Sequence, residues 1–197
     1  MSTEDRLLDA VDTVISDRGP SGITLRAVGT RAGLSHTAGA HYFGDKTGLM
    51  TAYITRAWSR VADRLDTIVA SGGGTRSALL GAARSYASFA IDEPAAFSVM
   101  DRLDLADVDS PDLWAARERG FFALFELIER HQSVGWAADR PTLDLLATTW
   151  SFVHGFVELW TGGPLWAPYD GQDLHQVLDD LLGHLIDALG RPGGDAG

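Results

Sequence analysis

Cysteine is absent from this chain of 197 residues, and lysine occurs once, at position 46. The first absence excludes disulfide frameworks, thiolate nucleophiles and cysteine-bound metals, and it fits a reducing compartment. Long apolar runs are missing too. The most apolar stretch, 143–160, is interrupted by Asp144, Thr148, Thr149, Ser151, His154 and Glu158, too many polar groups for a bilayer span. The opening "MSTEDRLLDA" is acidic, not a basic-then-apolar leader. These features predict a soluble, cytoplasmic protein with no membrane partner. Also lacking are a His-Glu-x-x-His spacing, a Gly-x-Ser-x-Gly elbow and a phosphate loop. No catalytic residue, metal or cofactor is implied. His131, His154, His175 and His184 are spread over three helices, and nothing requires them to converge on a metal.

What is present is uneven charge. The net charge is −11, yet residues 24–60 hold Arg26, Arg31, Lys46, Arg56 and Arg60 against Asp45 alone. Five bases and one acid make that segment +4 and leave −15 for the remainder. Phosphate binding is a local property, so a basic segment on an acidic body remains a candidate nucleic-acid surface beside the alternative of chance clustering.

Nearly the whole chain has helical periodicity, and no strand alternation, repeat or low-complexity tract interrupts it. Leu7, Leu8, Val11, Val14 and Ile15 form one stripe of a helix over 4–18, which Gly19 and Pro20 stop. Thr24 is a natural N-cap for a helix over 25–32, with Ile23 and Val28 placed as a hydrophobic staple. Gly33 ends that helix, Ser35 caps another at about 36–42, and Asp45 caps a long one reaching about 70. Further helices are predicted at about 76–91, 95–105, 111–132, 141–162 and 172–189, and the tail from Gly190 should be disordered.

Two short helices joined through Gly33 and Leu34, with a third packing on both, describe a helix-turn-helix unit. The turn needs a residue that tolerates positive φ, which Gly33 supplies. In "HTAGAHYF" (36–43) the residues His36, Thr37 and Ala38 leave a slim N-terminal end for a major groove, and Phe43 can anchor from behind. The glycines and alanines are expected to permit close approach to the duplex, Gly39 costing about 1 kcal/mol of helix propensity. Lys46 stands at a helix N-terminus, where the dipole disfavours a cation by roughly 0.3–1 kcal/mol unless a phosphate is present. Tyr42 and Thr24 can donate hydroxyl hydrogen bonds to the same strand.

Residues 6–50 resemble the N-terminal domain of the tetracycline-repressor-like (TetR) family of transcriptional regulators. Leu7-Leu8-Asp9-Ala10-Val11, Arg18-Gly19, Thr24, "RAGLS" at 31–35 and the run from Ala40 to Lys46 carry the likeness. Gly39 and Ala40 depart from the usual apolar residue and tyrosine. The resemblance implies an all-α fold: a three-helix helix-turn-helix DNA-binding domain over 1–48, a larger helical effector-binding and dimerisation domain over 49–190, and a flexible tail over 191–197. It implies a repressor on a double-stranded operator. Thr24, Tyr42 and Lys46 would hold phosphates, Arg26 would be a further DNA contact, and Ser35, His36, Thr37 and His41 would meet backbone or base edges. His36 and Thr37 are the expected base readers.

Beyond residue 110 lie five of the six tryptophans. The last helix has a broad stripe from Leu174 to Leu189, opposed by Asp179, Asp180 and Asp187, and the helix at 141–162 is apolar nearly all round. Either both pack within one chain or the last two helices also form a homodimer interface. The family likeness favours the dimer. Residues 83–100 and 150–159 resemble a TetR subgroup with a Trp-x-x-x-His-Gly signature, met by Trp150, His154 and Gly155. Trp150, His154 and Glu158 share a helical face, so His154 and Glu158 either contact a ligand or bond to a neighbouring helix. Phe89, Phe97, Met100, Phe121 and Phe125 are the other candidate walls for a small hydrophobic effector, each also explicable as plain core. The rivals are a helical-bundle enzyme using His154 and an acidic protein-interaction module without specific DNA binding.

Overall fold

The computed structural model describes residues 1–72, 76–165 and 168–191, with His36 described by its backbone alone. The expected tail beyond Arg191 and most of the "SGGGT" connector lie outside the described residues. Among those described, every regular element is a helix. The order is α1 (Thr3–Arg18), α2 (Leu25–Arg31), α3 (His36–Phe43), α4 (Lys46–Ala70), α5 (Arg76–Asp92), α6 (Pro94–Phe97), α7 (Pro111–Ser133), α8 (Thr142–Thr161) and α9 (Leu174–Leu189). None is long and apolar enough to cross a membrane.

Most boundaries follow their sequence signals. At α1, Ser2 accepts from the Asp5 amide at 3.0 Å and Asp5 accepts from the Ser2 amide at 2.9 Å, a reciprocal cap. Gly19 ends the helix at φ +69°. Thr24 caps α2 through the Ala27 amide at 3.0 Å, and Asp45 caps α4 through the Gly48 amide at 2.9 Å. Gly48 itself is obligatory, since a Cβ there would lie 2.1 Å from the Phe43 carbonyl oxygen.

One expected helix is not continuous. Residues 95–105 form the single turn α6, a run of turns and a short 3-10 segment, Leu103–Leu105. The Ser98 hydroxyl bonds back to the Ala95 carbonyl at 2.8 Å, and the Trp58 indole takes the Met100 carbonyl at 3.0 Å. The buried Met100 thus gives its amide to Ala96 but its carbonyl to a partner outside the helical ladder.

The chain forms two compact units, residues 1–60 with 93–119, and residues 61–92 with 120–197. In the first, α1, α2 and α4 bury Leu7, Val11, Ile23, Val28, Leu49 and Ile54. Tyr53 reaches across to the Asp12 carboxylate, and Arg56 pairs with Asp9 at 2.7 Å and Asp12 at 3.6 Å. Burial and the adjacent carboxylate push the Tyr53 phenol far above its ordinary pKa, so it remains a proton donor. In the second unit, α5, α8 and α9 pack together around Phe89, Leu145, Val157 and Leu178. Arg84 makes a two-pronged bond to Asp179, and Arg76 reaches Asp187 at 3.3 Å. Part of the acidic face of α9 is therefore matched by arginines of α5.

Candidate nucleic-acid interface and effector cavity

The turn between α2 and α3 has a compact hydrogen-bond ladder. Gly33, at φ +67°, gives its amide to the Thr30 carbonyl at 3.1 Å, and Leu34 gives its amide to Gly29 at 2.9 Å. Arg6, in α1, donates to the Ala32 carbonyl at 2.8 Å. That guanidinium satisfies a C-terminal carbonyl of α2 and opposes its dipole, so α1 helps to hold the turn. Nothing in the sequence pattern singled out Arg6.

On the rim of this unit Thr24, Arg26, Ser35, Thr37, His41 and Tyr42 are all exposed, and Lys46 is half-buried at the start of α4. His36 opens α3, and its side chain lies outside the described groups. Ser35 occupies the N-cap position of α3 without capping it. Its hydroxyl meets the Thr37 hydroxyl at 3.0 Å instead, and its carbonyl accepts from the Ala38 amide at 3.1 Å. Thr24 accepts from Ala27 yet retains its own hydroxyl hydrogen as a donor. The His41 ring stands edge-on to Tyr42, 5.3 Å between centroids.

Two sequence expectations about this surface change. Gly39 is buried, and a Cβ there would meet the Leu25 side chain at 3.3 Å and the Leu25 carbonyl at 3.5 Å. It permits close approach of α3 to α2, within the protein, and not of α3 to a duplex. The basic segment is also weaker than its count suggests. Arg56 is paired with Asp9 and Asp12, and Arg60 with Glu93. Among the described residues of that segment, Arg26, Arg31 and Lys46 are the cations outside these ion pairs.

The second unit contains a small, partly open apolar cavity of about 40 Å3. Ala82, Ala83 and Tyr86 of α5 form one wall, and Thr149, Trp150 and Val153 of α8 another. Aliphatic residues of α4, α7 and α9, among them Leu65, Leu124 and Leu182, complete it. Thr149 returns its hydroxyl hydrogen to its own helix, 2.8 Å from the Leu145 carbonyl. The Tyr86 hydroxyl lies 2.8 Å from His154 Nδ1. Trp150 stacks on the same imidazole, 6.1 Å between centroids at 14°.

Of the residues expected to contact an effector, Trp150 lines this cavity, and His154 stands behind Tyr86. Phe89 is fully buried under the Arg64 guanidinium, 5.5 Å from its ring centroid. Glu158 is exposed, as is Phe121, which stacks on Phe125 at 6.2 Å. Phe97 and Met100 are buried in the first unit. Tyr86, Thr149 and the alanine pair were missed. Their only sequence signal was the small-residue run "ALLGAARSYA" (78–87), whose inward positions leave room where larger side chains would fill it. Among the described residues, no group of three histidine, aspartate or glutamate side chains is arranged to hold a metal.

Comparison with known proteins agrees with this arrangement. A family model described as bacterial regulatory proteins of the tetR family matches residues 7–53. A second, the tetracyclin repressor-like C-terminal domain, matches residues 79–185, more than half of the chain. The HTH-type transcriptional regulator BetI of Burkholderia thailandensis is 47% identical over 47 residues, which span 24% of either chain. A TetR family transcription regulator from Marinobacter aquaeolei VT8 superposes with a TM-score of 0.72 at 20% identity, covering 94% of each chain. A Rhodococcus sp. RHA1 protein described as of unknown function gives 0.82 at 21% identity over 97% of each. Those structural likenesses show the fold, and the family models carry the assignment. The chain belongs to the TetR family of bacterial regulatory proteins.

Proposed function

We propose that this regulator is a cytoplasmic repressor that binds a palindromic operator as a homodimer and is released by a small hydrophobic effector. The DNA-contacting set is Thr24, Arg26, Ser35, His36, Thr37, His41, Tyr42 and Lys46. Thr24, Arg26, Tyr42 and Lys46 hold phosphates; His36 and Thr37 meet base edges. The observation that carries this reading is the slim, exposed N-terminal end of α3, which has no side-chain cap, beside hydroxyl and cationic side chains. Such a rim combines positioning contacts with direct readout.

The homodimer reading rests on α8 and α9. Much of the α9 stripe is used within its own unit, but Leu181, Leu185 and Leu189 stay half-buried, and Leu143 and Leu159 of α8 are 57% and 47% exposed. The effector reading rests on the cavity, with Trp150 as a wall and His154 orienting Tyr86. The Trp150, His154 and Gly155 spacing supports membership of the Trp-His-Gly subgroup. Helix α4 contributes Leu65 to the cavity, and its earlier residues Tyr53 and Trp58 are bonded within the first unit. An effector that prefers one placement of α4 shifts the population of dimers whose recognition helices stand one helical turn apart, about 34–36 Å. Residues 1–48 and 49–190 are the proposed functional division.

The test is fluorescence anisotropy of the full chain on the duplex flanking its own gene, titrated with salt. The expected result is two protomers per duplex, a steep loss of affinity with salt and a large preference over unrelated DNA. Equal affinity for unrelated DNA would overturn operator recognition and favour a protein-interaction role.

A further inference from the structure

The cavity in the second unit has an unusual chemical uniformity. Eight of its eleven lining residues are aliphatic, and the remaining three are Tyr86, Thr149 and Trp150. No carboxylate, guanidinium or ammonium group is among them. The Thr149 hydroxyl is bonded to the Leu145 and Leu146 carbonyls at 2.8 and 3.1 Å, so it is already committed within its own helix. The Tyr86 hydroxyl is engaged with His154, and the His154 ring is stacked on Trp150. The two arginines of α5 are engaged with α9 carboxylates, Arg84 with Asp179 and Arg76 with Asp187.

An ion moved into such a space loses its hydration and finds no opposite charge in the walls, whereas a hydrocarbon gains contact with all of them. An aromatic pair can hold a cation, but Tyr86 and Trp150 are tilted at 56° and no carboxylate completes a cage. We propose that the cavity selects its ligand by charge: it takes an electrically neutral, largely hydrocarbon molecule and rejects the carboxylate and ammonium forms of the same skeleton. The room exists because α5 places alanines at 82 and 83. This rests on the reading of the cavity as the effector site, and it goes further in naming what that site excludes.

The experiment uses two skeletons in three charge forms at pH 7.5. One set is n-decanol, decanoate and decylammonium below their aggregation limits; the other is 2-naphthol, 2-naphthoate and 2-naphthylmethylammonium. Thermal shift and calorimetric titration are read on the full chain and on Ala83→Leu, with Ala82→Leu as a second variant should the first fold poorly. The expected result is binding of the neutral probes at least tenfold tighter than both ions of the same skeleton, with the shift lost when the cavity is filled. Binding of either ion as tightly as its neutral counterpart, sensitive to Ala83→Leu, would overturn charge selection and leave the effector site standing. Binding of no probe, or binding indifferent to both variants, would overturn the effector site and this inference with it.

Discussion

The rim of α3 and the cavity beside α8 are built on opposite principles. Along α2 and α3 the proposed DNA contact is made by what side chains present: hydroxyls, an imidazole and a cation on an exposed edge. Between α5, α8 and α9 the proposed effector site depends on what side chains leave out, with alanines on α5 lining space that larger neighbours enclose. Presented groups announce themselves in a sequence as polar residues at helical spacing. Vacated space does not, since the alanine that makes a hole is the same residue that makes ordinary close packing. Gly39 falls between the two cases. It lies on the presented helix, yet its missing side chain is used inward, against Leu25.

That difference can be broken deliberately. The largest effect is expected from Gly39→Leu, which forces a side chain into the Leu25 contact. Overpacking of this kind costs about 1–3 kcal/mol, offset in part by better helix propensity. The melting temperature should fall by several degrees and operator affinity should collapse. The double variant Leu25→Ala with Gly39→Leu should recover much of both, a non-additivity that unrelated sites do not show. Next comes Arg6. Removing a charged donor from a partly buried carbonyl costs about 1.5–3 kcal/mol, so Arg6→Ala should weaken specific DNA binding more than nonspecific binding. Arg6→Lys, which keeps a cation near the α2 terminus, should restore part of the specificity ratio.

The second unit sharpens the contrast from its own side. Ala83→Leu fills vacated space, so it should change the unliganded melting temperature by only a degree or two while abolishing ligand-induced stabilisation. Each is read by differential scanning calorimetry. The smallest effect belongs to the cap of α1. Asp5 accepts hydrogen bonds from the Ser2 amide and hydroxyl, and these hold its carboxyl below the ordinary value of 3.8. A depressed carboxylate pKa adds stability that is present above 3.8 and lost as pH falls through the folded value. Faster amide exchange at Ser2 to Arg6 should therefore appear only in mild acid, with the core of α1 unchanged.

Much of the architecture was legible in residues because capping and periodicity are local. Thr24 and Asp45 cap as their positions imply, Ser35 does not, and the helices over 111–133 and 142–161 fall within a residue of expectation. The segment after Pro94 was not legible. Its apolar residues Val99 and Met100 fit a helix by composition, but the Met100 carbonyl is claimed by Trp58, distant in sequence. The charge count overstated the basic surface for the same reason. Arg56 and Arg60 are adjacent to the motif in sequence, and their carboxylate partners Asp9, Asp12 and Glu93 are contributed by other helices. The aromatic residues expected around an effector were chosen for bulk, and bulk proved to be divided among core, surface and cavity wall.

The central claim is that the end of α3 reads bases while its flanks hold phosphates. A matrix of operator variants tests it, each base pair of one half-site substituted in turn and bound by wild type, Thr37→Val and Lys46→Ala. Lys46→Ala should weaken binding evenly across all sequences and lower the salt slope by about 1, while Thr37→Val should flatten preference at one or two base pairs by about 1–3 kcal/mol. An unchanged preference profile for Thr37→Val and for His36→Ala, or a sequence-dependent loss for Lys46→Ala, would contradict the assignment.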